Sequence, residues 1–270
     1  EWLIGTGVAS ATYPGNTQQG TRVRIRFSDG RYVVQLGAAD IGTGTWTTLT
    51  QIAADALECP ADRVALGIGD TDFPNATVEG GSSGISSWGS TVVAAAEAFR
   101  KEHGYEPAED ATTEAEAPDG VSKRFATHSF GAHFAEVRVH RDTGEVRVPR
   151  MLGVFSVGRI INPRTARSQL VGGMTMGLSM ALFEQSVMDP RFGHVVNHDF
   201  AEYHIAAHAD VADIEAVWLD ESDPEMNPMG SRGIGEIGIV GSAAAVANAA
   251  HHATGVRVRD LPITPDRFVS

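Results

Sequence analysis

The sequence predicts an α+β fold made of two packed hairpin-plus-helix units. Three observations predict it. A run of alternating apolar and polar residues broken by a turn occurs twice, each time followed by a helical pattern. A polar, acidic stretch separates the two copies. The chain's 270 residues, 42% of them apolar, are enough to bury the core of one large or two small domains. The expected division is residues 1–100 for the first unit, 101–124 for an acidic solvated linker and 125–270 for the second unit.

In the first copy, residues 21–27 and 32–37 alternate around Ser28-Asp29-Gly30-Arg31, and the Asp-Gly pair suits a hairpin turn. A helix over 46–58 follows, because Leu49, Ile52, Ala53, Ala56 and Leu57 share one face at helical spacing. Residues 63–68 return as a strand. The stretch 101–120 is rich in Glu, Asp, Ala, Thr and Pro, and its block Glu106-Pro107-Ala108-Glu109-Asp110 predicts a solvated connection.

The second copy opens with 133–140 and 145–151, joined at Arg141-Asp142-Thr143-Gly144, and continues through 155–161. A helix is predicted over 165–185, with Met174, Met176, Met180 and Phe183 as core packing. Gly172, Gly173 and Gly177 weaken that helix intrinsically, so their expected use is close backbone approach to another helix or a ligand. An alanine-rich helix over 242–252 closes the second unit.

Charge and cysteine content limit the function. A formal charge of −13 with no basic stripe argues against nucleic acid as a main partner. The lone Cys59 excludes an intrachain disulfide framework and any thiolate cluster, so iron–sulfur centres belong on other chains. No stretch reaches the roughly 20 apolar residues that a bilayer span needs, so no membrane partner is expected. Nor do the first residues follow an export-signal pattern. The expected compartment is therefore the cytoplasm, or the periplasm if a partner carries the signal.

The most informative motif is Arg232-Gly233-Ile234-Gly235-Glu236, one carboxylate in a turn built mostly of glycine and followed by the alanine-rich helix. Glycines let backbone N–H groups approach an anion, and a helix N-terminus favours negative charge, so the acid is either a cap or a catalyst. Residues 233–238 also fit the dinucleotide fingerprint G-x-G-x-x-G, but no strand precedes them and no βαβ unit follows. Gly80-Gly81-Ser82-Ser83-Gly84 imitates the nucleophile elbow of hydrolases, with Ser82 as nucleophile. The residues before it predict a loop, and an anion nest of N–H groups and hydroxyls is the better use. Gly42-Thr43-Gly44 before the first helix is either a ligand-binding turn or a plain one. Asn162-Pro163-Arg164-Thr165 begins the second long helix as an anion site or as an Asn-Pro turn with a surface arginine. His204 and His208 lie four residues apart, but H-E-x-x-H is absent and no protein-ligated metal is expected.

Taken in order, the motifs at 40–45, 69–74, 80–84, 158–169, 230–241 and 255–264 give the chain a resemblance to the molybdenum-binding large subunit of the xanthine dehydrogenase and aldehyde oxidase family, most closely the bacterial aldehyde oxidoreductases. The resemblance covers the second half of such subunits. The first half is then expected as a separate subunit, or this chain as a fragment. The implied fold is the molybdenum-cofactor-binding domain, and the implied cofactor is a molybdenum–pterin group, in bacterial members the molybdopterin cytosine dinucleotide.

The family pattern also implies roles for residues. Glu236 is the catalytic base, acting on the oxygen delivered to an aldehyde or an electron-poor N-heterocycle. Cofactor contacts fall on Gly42, Thr43, Gly44, Gly84, Ile85, Arg159, Asn162, Pro163, Arg164, Thr165, Gln169, Arg232, Gly233, Ile234 and Gly235. Many relatives carry glutamine where Thr43 stands, so backbone contacts are expected there ahead of side-chain ones. The metal is held by the pterin, with no protein ligand. Expected partners are the first half of the molybdenum subunit, an iron–sulfur subunit and an FAD subunit.

Overall fold

A computed structural model describes residues 1–117 and 125–269. In the first half, β2 (Arg22–Ser28) and β3 (Arg31–Gln35) form an antiparallel hairpin, turned at Asp29-Gly30 where both residues have positive φ. Helix α1 (Thr45–Leu57) crosses over to β4 (Val64–Gly67), which lies parallel to β3. Helix α2 (Gly84–His103) then leads to β5 (Thr112–Glu116), antiparallel to β2, and the sheet runs β4-β3-β2-β5.

The second half repeats this plan. β6 (His128–His140) and β7 (Val146–Ser156) make the hairpin, α3 (Pro163–Leu182) crosses over, and β10 (Asp213–Trp218) lies parallel to β7. A short ladder of β8 (Met188–Asp189) and β9 (His194–Val195) sits in the connection between α3 and β10. Helices α4 (Ile237–Val240) and α5 (Ser242–Thr254) follow. The fourth strand comes from the start of the chain: β1 (Trp2–Pro14) pairs antiparallel with β6 along its whole length, giving the order β1-β6-β7-β10.

Each sheet packs its helices over a separate core. Val23, Ile25, Leu36, Leu49, Trp88 and Phe99 are fully buried in the first; Val137, Met151, Phe155, Leu170, Met174 and Ala249 are fully buried in the second. The alanines of α5 lie directly on β1, because a Cβ at Gly5 or Gly7 would sit 2.2 Å from the Ala249 backbone. The outer faces differ. On the first sheet Arg22 and Arg24 pair with Glu114, while the second exposes Ile4, Val8, Phe130 and Phe134.

Two units built on one plan match the expected fold class, and the predicted hairpins, crossover helices and alanine-rich helix stand within a few residues of their expected places. Three expectations change. β1, within the span assigned to the first unit, completes the second sheet, because its small residues fit under α5. The predicted linker contains the last residues of α2 and all of β5; its acids face outward while Ala115 packs on the core. Residues 118–124 of that stretch lie outside the described residues. Met176 and Met180 are exposed rather than core, since the large residues that α3 buries are Leu170, Met174 and Leu178 on the opposite stripe. Gly173 and Gly177 do serve close approach: added Cβ atoms would lie 2.9 Å from the Ile239 nitrogen and 2.4 Å from the Ser242 Cβ.

Candidate functional site

Between the two units lies a cavity of about 320 Å³, lined by residues of four separated segments: Ile41 to Thr48, Glu79 to Ser86, Arg159 to Gln169 and Ser231 to Glu236. Three helices begin at its wall. Thr43 precedes α1, Ser83 precedes α2 and Asn162 precedes α3, so the positive ends of three dipoles converge there. The first and third nearly touch: a Cβ on Gly44 would stand 2.6 Å from the Thr165 methyl carbon.

The Asp40-to-Thr45 turn is held by the chain itself. The Asp40 carboxylate accepts from the Gly42 N–H at 2.8 Å, the Gly44 N–H at 3.3 Å and the Trp46 N–H at 3.4 Å. Burial pushes the Asp40 carboxyl up, but these backbone donors and that of Thr43 outweigh it and hold the group below the usual carboxylate range. Gly42 and Gly44 thus spend N–H groups on an internal carboxylate. Thr43 faces the cavity instead, its hydroxyl 2.8 Å from the Glu79 Oε1.

At the α3 end, Asn162 caps the helix by accepting from the N–H groups of Arg164 at 3.2 Å and Thr165 at 3.4 Å, with Pro163 in the first turn. Asn162, Thr165 and Gln169 line the cavity, whereas Pro163 and Arg164 are exposed beside it. Arg159 lines it too, and its guanidinium pairs with Asp55 at 2.9 Å.

The loop that carries Glu236 is anchored from several elements. The Arg232 guanidinium is held by the chain's own acids: it bonds Asp223 at 2.7 Å, lies 3.5 Å from Glu221 and reaches the Ser156 hydroxyl at 3.0 Å. Burial raises the Glu221 carboxyl, but the Gly158 N–H, the Ser156 hydroxyl and Arg232 outweigh it and leave it lowered. The Ser129 hydroxyl donates to the Gly233 carbonyl at 2.7 Å, and the Gln169 amide to the Gly235 carbonyl at 3.2 Å. Gly233 and Gly235 permit contact with the first unit, because added Cβ atoms would lie 2.4 Å from the Ser82 carbonyl oxygen and 2.9 Å from its hydroxyl.

Glu236 sits just ahead of α4, yet its side chain caps no helix. Its carboxylate accepts from the Ser82 hydroxyl, and its own N–H donates to the Ser82 Oγ at 3.1 Å. Tyr13, at the end of β1, hydrogen-bonds the same carboxylate; burial first, then this acceptor and its charge, raise the phenol. Ser82 holds a positive φ of 55°, a strained position resembling a nucleophile elbow, but its partner is an acid and not a histidine. The helix expected of a hydrolase does leave this loop as α2; no strand leads into it.

The structure thus gathers Thr43, Gly84, Ile85, Arg159, Asn162, Thr165, Gln169 and the Arg232–Glu236 loop around one cavity, leaving Gly42, Gly44, Pro163 and Arg164 just outside its wall. Sequence reasoning did not single out Asp40, Glu79 or Tyr13, whose roles depend on contacts between distant segments. The hint available for Asp40 was an acid two residues before a glycine turn. Convergent helix ends, glycines closing the wall and an acid at one side fit an elongated anionic cofactor.

Comparison with known proteins identifies the family. The family model of the molybdopterin cofactor-binding domain matches twice, over residues 1–104 and 102–212. The chain is 40% identical to the aldehyde oxidoreductase molybdenum-binding subunit PaoC of Escherichia coli, covering 100% of this chain and 41% of that protein. It is 31% identical to the probable hypoxanthine oxidase XdhD of the same organism, over 100% of this chain and 32% of the other. Among solved structures, the aldehyde oxidoreductase of Desulfovibrio desulfuricans superposes with a TM-score of 0.86 at 24% identity, over 100% of this chain and 32% of that one. The Cu,Mo-CO dehydrogenase shares the fold, with a TM-score of 0.85 at 20% identity, over 99% of this chain and 40% of that one. The chain therefore spans about two fifths or less of the length of these relatives, and it belongs to the molybdopterin cofactor-binding domain family of the xanthine dehydrogenase and aldehyde oxidoreductase type.

Proposed function

We propose that this chain is the C-terminal part of a molybdenum hydroxylase large subunit that oxidises an aldehyde or an N-heterocycle, with Glu236 as general base. The observation that carries the proposal is the position of Glu236 at a cavity onto which three helix N-termini converge. When bound, the molybdenum–pterin cofactor supplies the two-electron redox centre and the water-derived oxygen. The chain's own residues do the rest. Ser82 and Tyr13 both hydrogen-bond the Glu236 carboxylate, so the base is oriented before substrate arrives. The starts of α1, α2 and α3, with Thr43, Gly84, Ile85, Asn162, Thr165 and Gln169, face the anionic cofactor. Gly42, Gly44, Pro163 and Arg164 act behind that wall by setting its shape, Arg232 anchors the Glu236 loop through Asp223 and Ser156, and Arg159 stands at the rim.

The cytosine dinucleotide is proposed as the cofactor form, by likeness to bacterial relatives. The remaining part of the molybdenum subunit, an iron–sulfur subunit and an FAD subunit are proposed as partners, since a chain with one cysteine holds no cluster to carry electrons away. Among the described residues no helix is long and apolar enough to cross a membrane, and the proposed site of action is the cytoplasm or, with an exported partner, the periplasm.

The test is Glu236→Gln in the assembled complex. Molybdenum and pterin contents are expected to stay at the parental level, while turnover of aldehydes and N-heterocycles falls by about 10²- to 10⁴-fold. Turnover near the parental rate would remove Glu236 from the role of base. A parental complex that binds a nucleotide but no molybdenum would favour a non-catalytic chain of the same fold.

A further inference from the structure

Glu79 lies in the loop between β4 and α2 and lines the cavity, yet the glycine and helix-end chemistry around it is suited to negative charge. One of its oxygens is fully occupied. Oε1 accepts from the Thr43 hydroxyl at 2.8 Å and from that of Thr45 at 3.5 Å, and the two hydroxyls stand 3.1 Å apart. Oε2 is buried and has no hydrogen-bond partner among the described residues.

A buried carboxylate oxygen without a donor is costly, so a fold keeps one only where something else supplies the proton donor. Capping of α1 does not explain it. Asp40 already takes the N–H groups of Gly42, Gly44 and Trp46 at that helix end. The threonine pair also fixes the carboxylate, so Oε2 is a positioned acceptor and not a mobile surface acid. An acceptor of this kind repels phosphate and suits an N–H group, best the paired donors of an amino group beside a ring nitrogen.

On the reading that the cavity holds the molybdenum–pterin cofactor, we propose that Glu79 is a cofactor-contacting residue whose Oε2 accepts an N–H from the cofactor's amino-bearing heterocycle. Thr43 and Thr45 are its positioning residues. The cavity then sorts its ligand by charge: helix ends for the phosphates, Glu79 for the amino-bearing ring.

The experiment compares Glu79→Gln, Glu79→Ala and Thr43→Val with the parental chain in the assembled complex. Molybdenum and pterin are measured per complex, together with their rate of loss on mild heating. Glu79→Gln keeps the shape and the bond to Thr43 but turns a donor toward the ring, so release of pterin and metal together is expected to speed up about ten-fold or more at normal assembly yield. Glu79→Ala should behave likewise and Thr43→Val less strongly. Retention at the parental level in both Glu79 variants overturns the inference, as does unchanged retention with a raised KM confined to amino-bearing heterocyclic substrates, which would place Glu79 on substrate. A parental complex without molybdenum or pterin overturns the underlying reading and the inference with it; a loaded parent with unaltered variants overturns the inference alone.

Discussion

The first unit meets the cavity with two helix starts, and two carboxylates of that unit pin the turn before α1, Asp40 on the backbone of residues 42–46 and Glu79, from the loop before α2, on Thr43 and Thr45. The second unit meets it with one capped helix start and a loop that carries the acid, tied down through Arg232, Gln169 and Ser129. Both have the same hairpin, crossover helix and parallel strand, so the framework does not account for the division of labour. What differs is the connecting loops. The duplicated fold supplies helix ends on both sides of a seam, and the unequal loops give one side two helix starts and the other a single helix start with the acid Glu236. Neither unit completes the site: Glu236 of the second is held by Ser82 of the first and by Tyr13 of β1.

Substitution in the seam itself should disturb both units at once. Gly233→Val forces side-chain atoms into the Ser82 carbonyl oxygen, which already lies 2.4 Å from the position of a Cβ. Overpacking of this kind is expected to cost about 3 kcal/mol and to displace Glu236 as well. Denaturant unfolding of the complex should show the loss together with a fall in turnover; a variant with parental stability and activity would mean that the two units do not meet as tightly as described.

A pH titration separates the two units, because each has its own sensitive group. His133 is fully buried against Phe155, and burial drives its imidazole down to about 4 despite an opposing contact with the Ile237 backbone. Ser242 gives its proton to the Gly238 carbonyl at 2.9 Å, so the His133 Nδ1–H is the donor in the 3.2 Å contact to Ser242. A neutral ring therefore braces the start of α5, a few residues after Glu236. The unfolded chain binds this proton near the ordinary value of 6.5 and the folded one only near 4, so stability is complete above 6.5 and is lost as pH falls toward 4. The loss from this one group is on the order of 3 kcal/mol. His133→Phe should flatten the acid limb of a melting-temperature profile, and an unchanged limb would move the sensitivity elsewhere.

Asp40 is the counterpart in the first unit, with a smaller expected effect. Its carboxyl is lowered in the fold, so its contribution is present above the ordinary value of 3.8 and is lost only as pH falls below it. Asp40→Ala should cost about 1 kcal/mol at neutral pH, as the loss of a helix cap does. Acid should accordingly weaken the second unit before the first, which hydrogen exchange followed by mass spectrometry resolves unit by unit. Simultaneous loss of protection in both would contradict the assignment.

What the chain's pattern makes legible is set by how each element is buried. The two hairpins show themselves because one face of each is apolar and the turns carry glycine. Helix α2 does not, since Trp88 and Phe99 share it with buried serines and a threonine whose hydroxyls bond back to the preceding turn, Ser87 to Ser83, Ser90 to Ser86 and Thr91 to Ser87. Strand β1 escapes because glycine and alanine replace the usual branched residues where α5 presses on it. β5 is masked by its outward acids, and the parallel edge strand β10 by flanking polar residues. At the site, the Glu236 loop stands out as a glycine motif, and its family resemblance locates the other walls. Tyr13 and Glu79 could not be found that way, because their chemistry arises only when β1 and the loop before α2 are brought to the same cavity.

The proposed function puts one cofactor in the seam between the two units with its metal beside Glu236. An anomalous-difference map at the molybdenum edge, from crystals of the loaded complex, tests this directly. The predicted result is a single molybdenum peak within the cavity, next to the Glu236 carboxylate and on the Ser82 side. A peak outside the cavity, or a loaded complex whose metal sits far from Glu236, would contradict it.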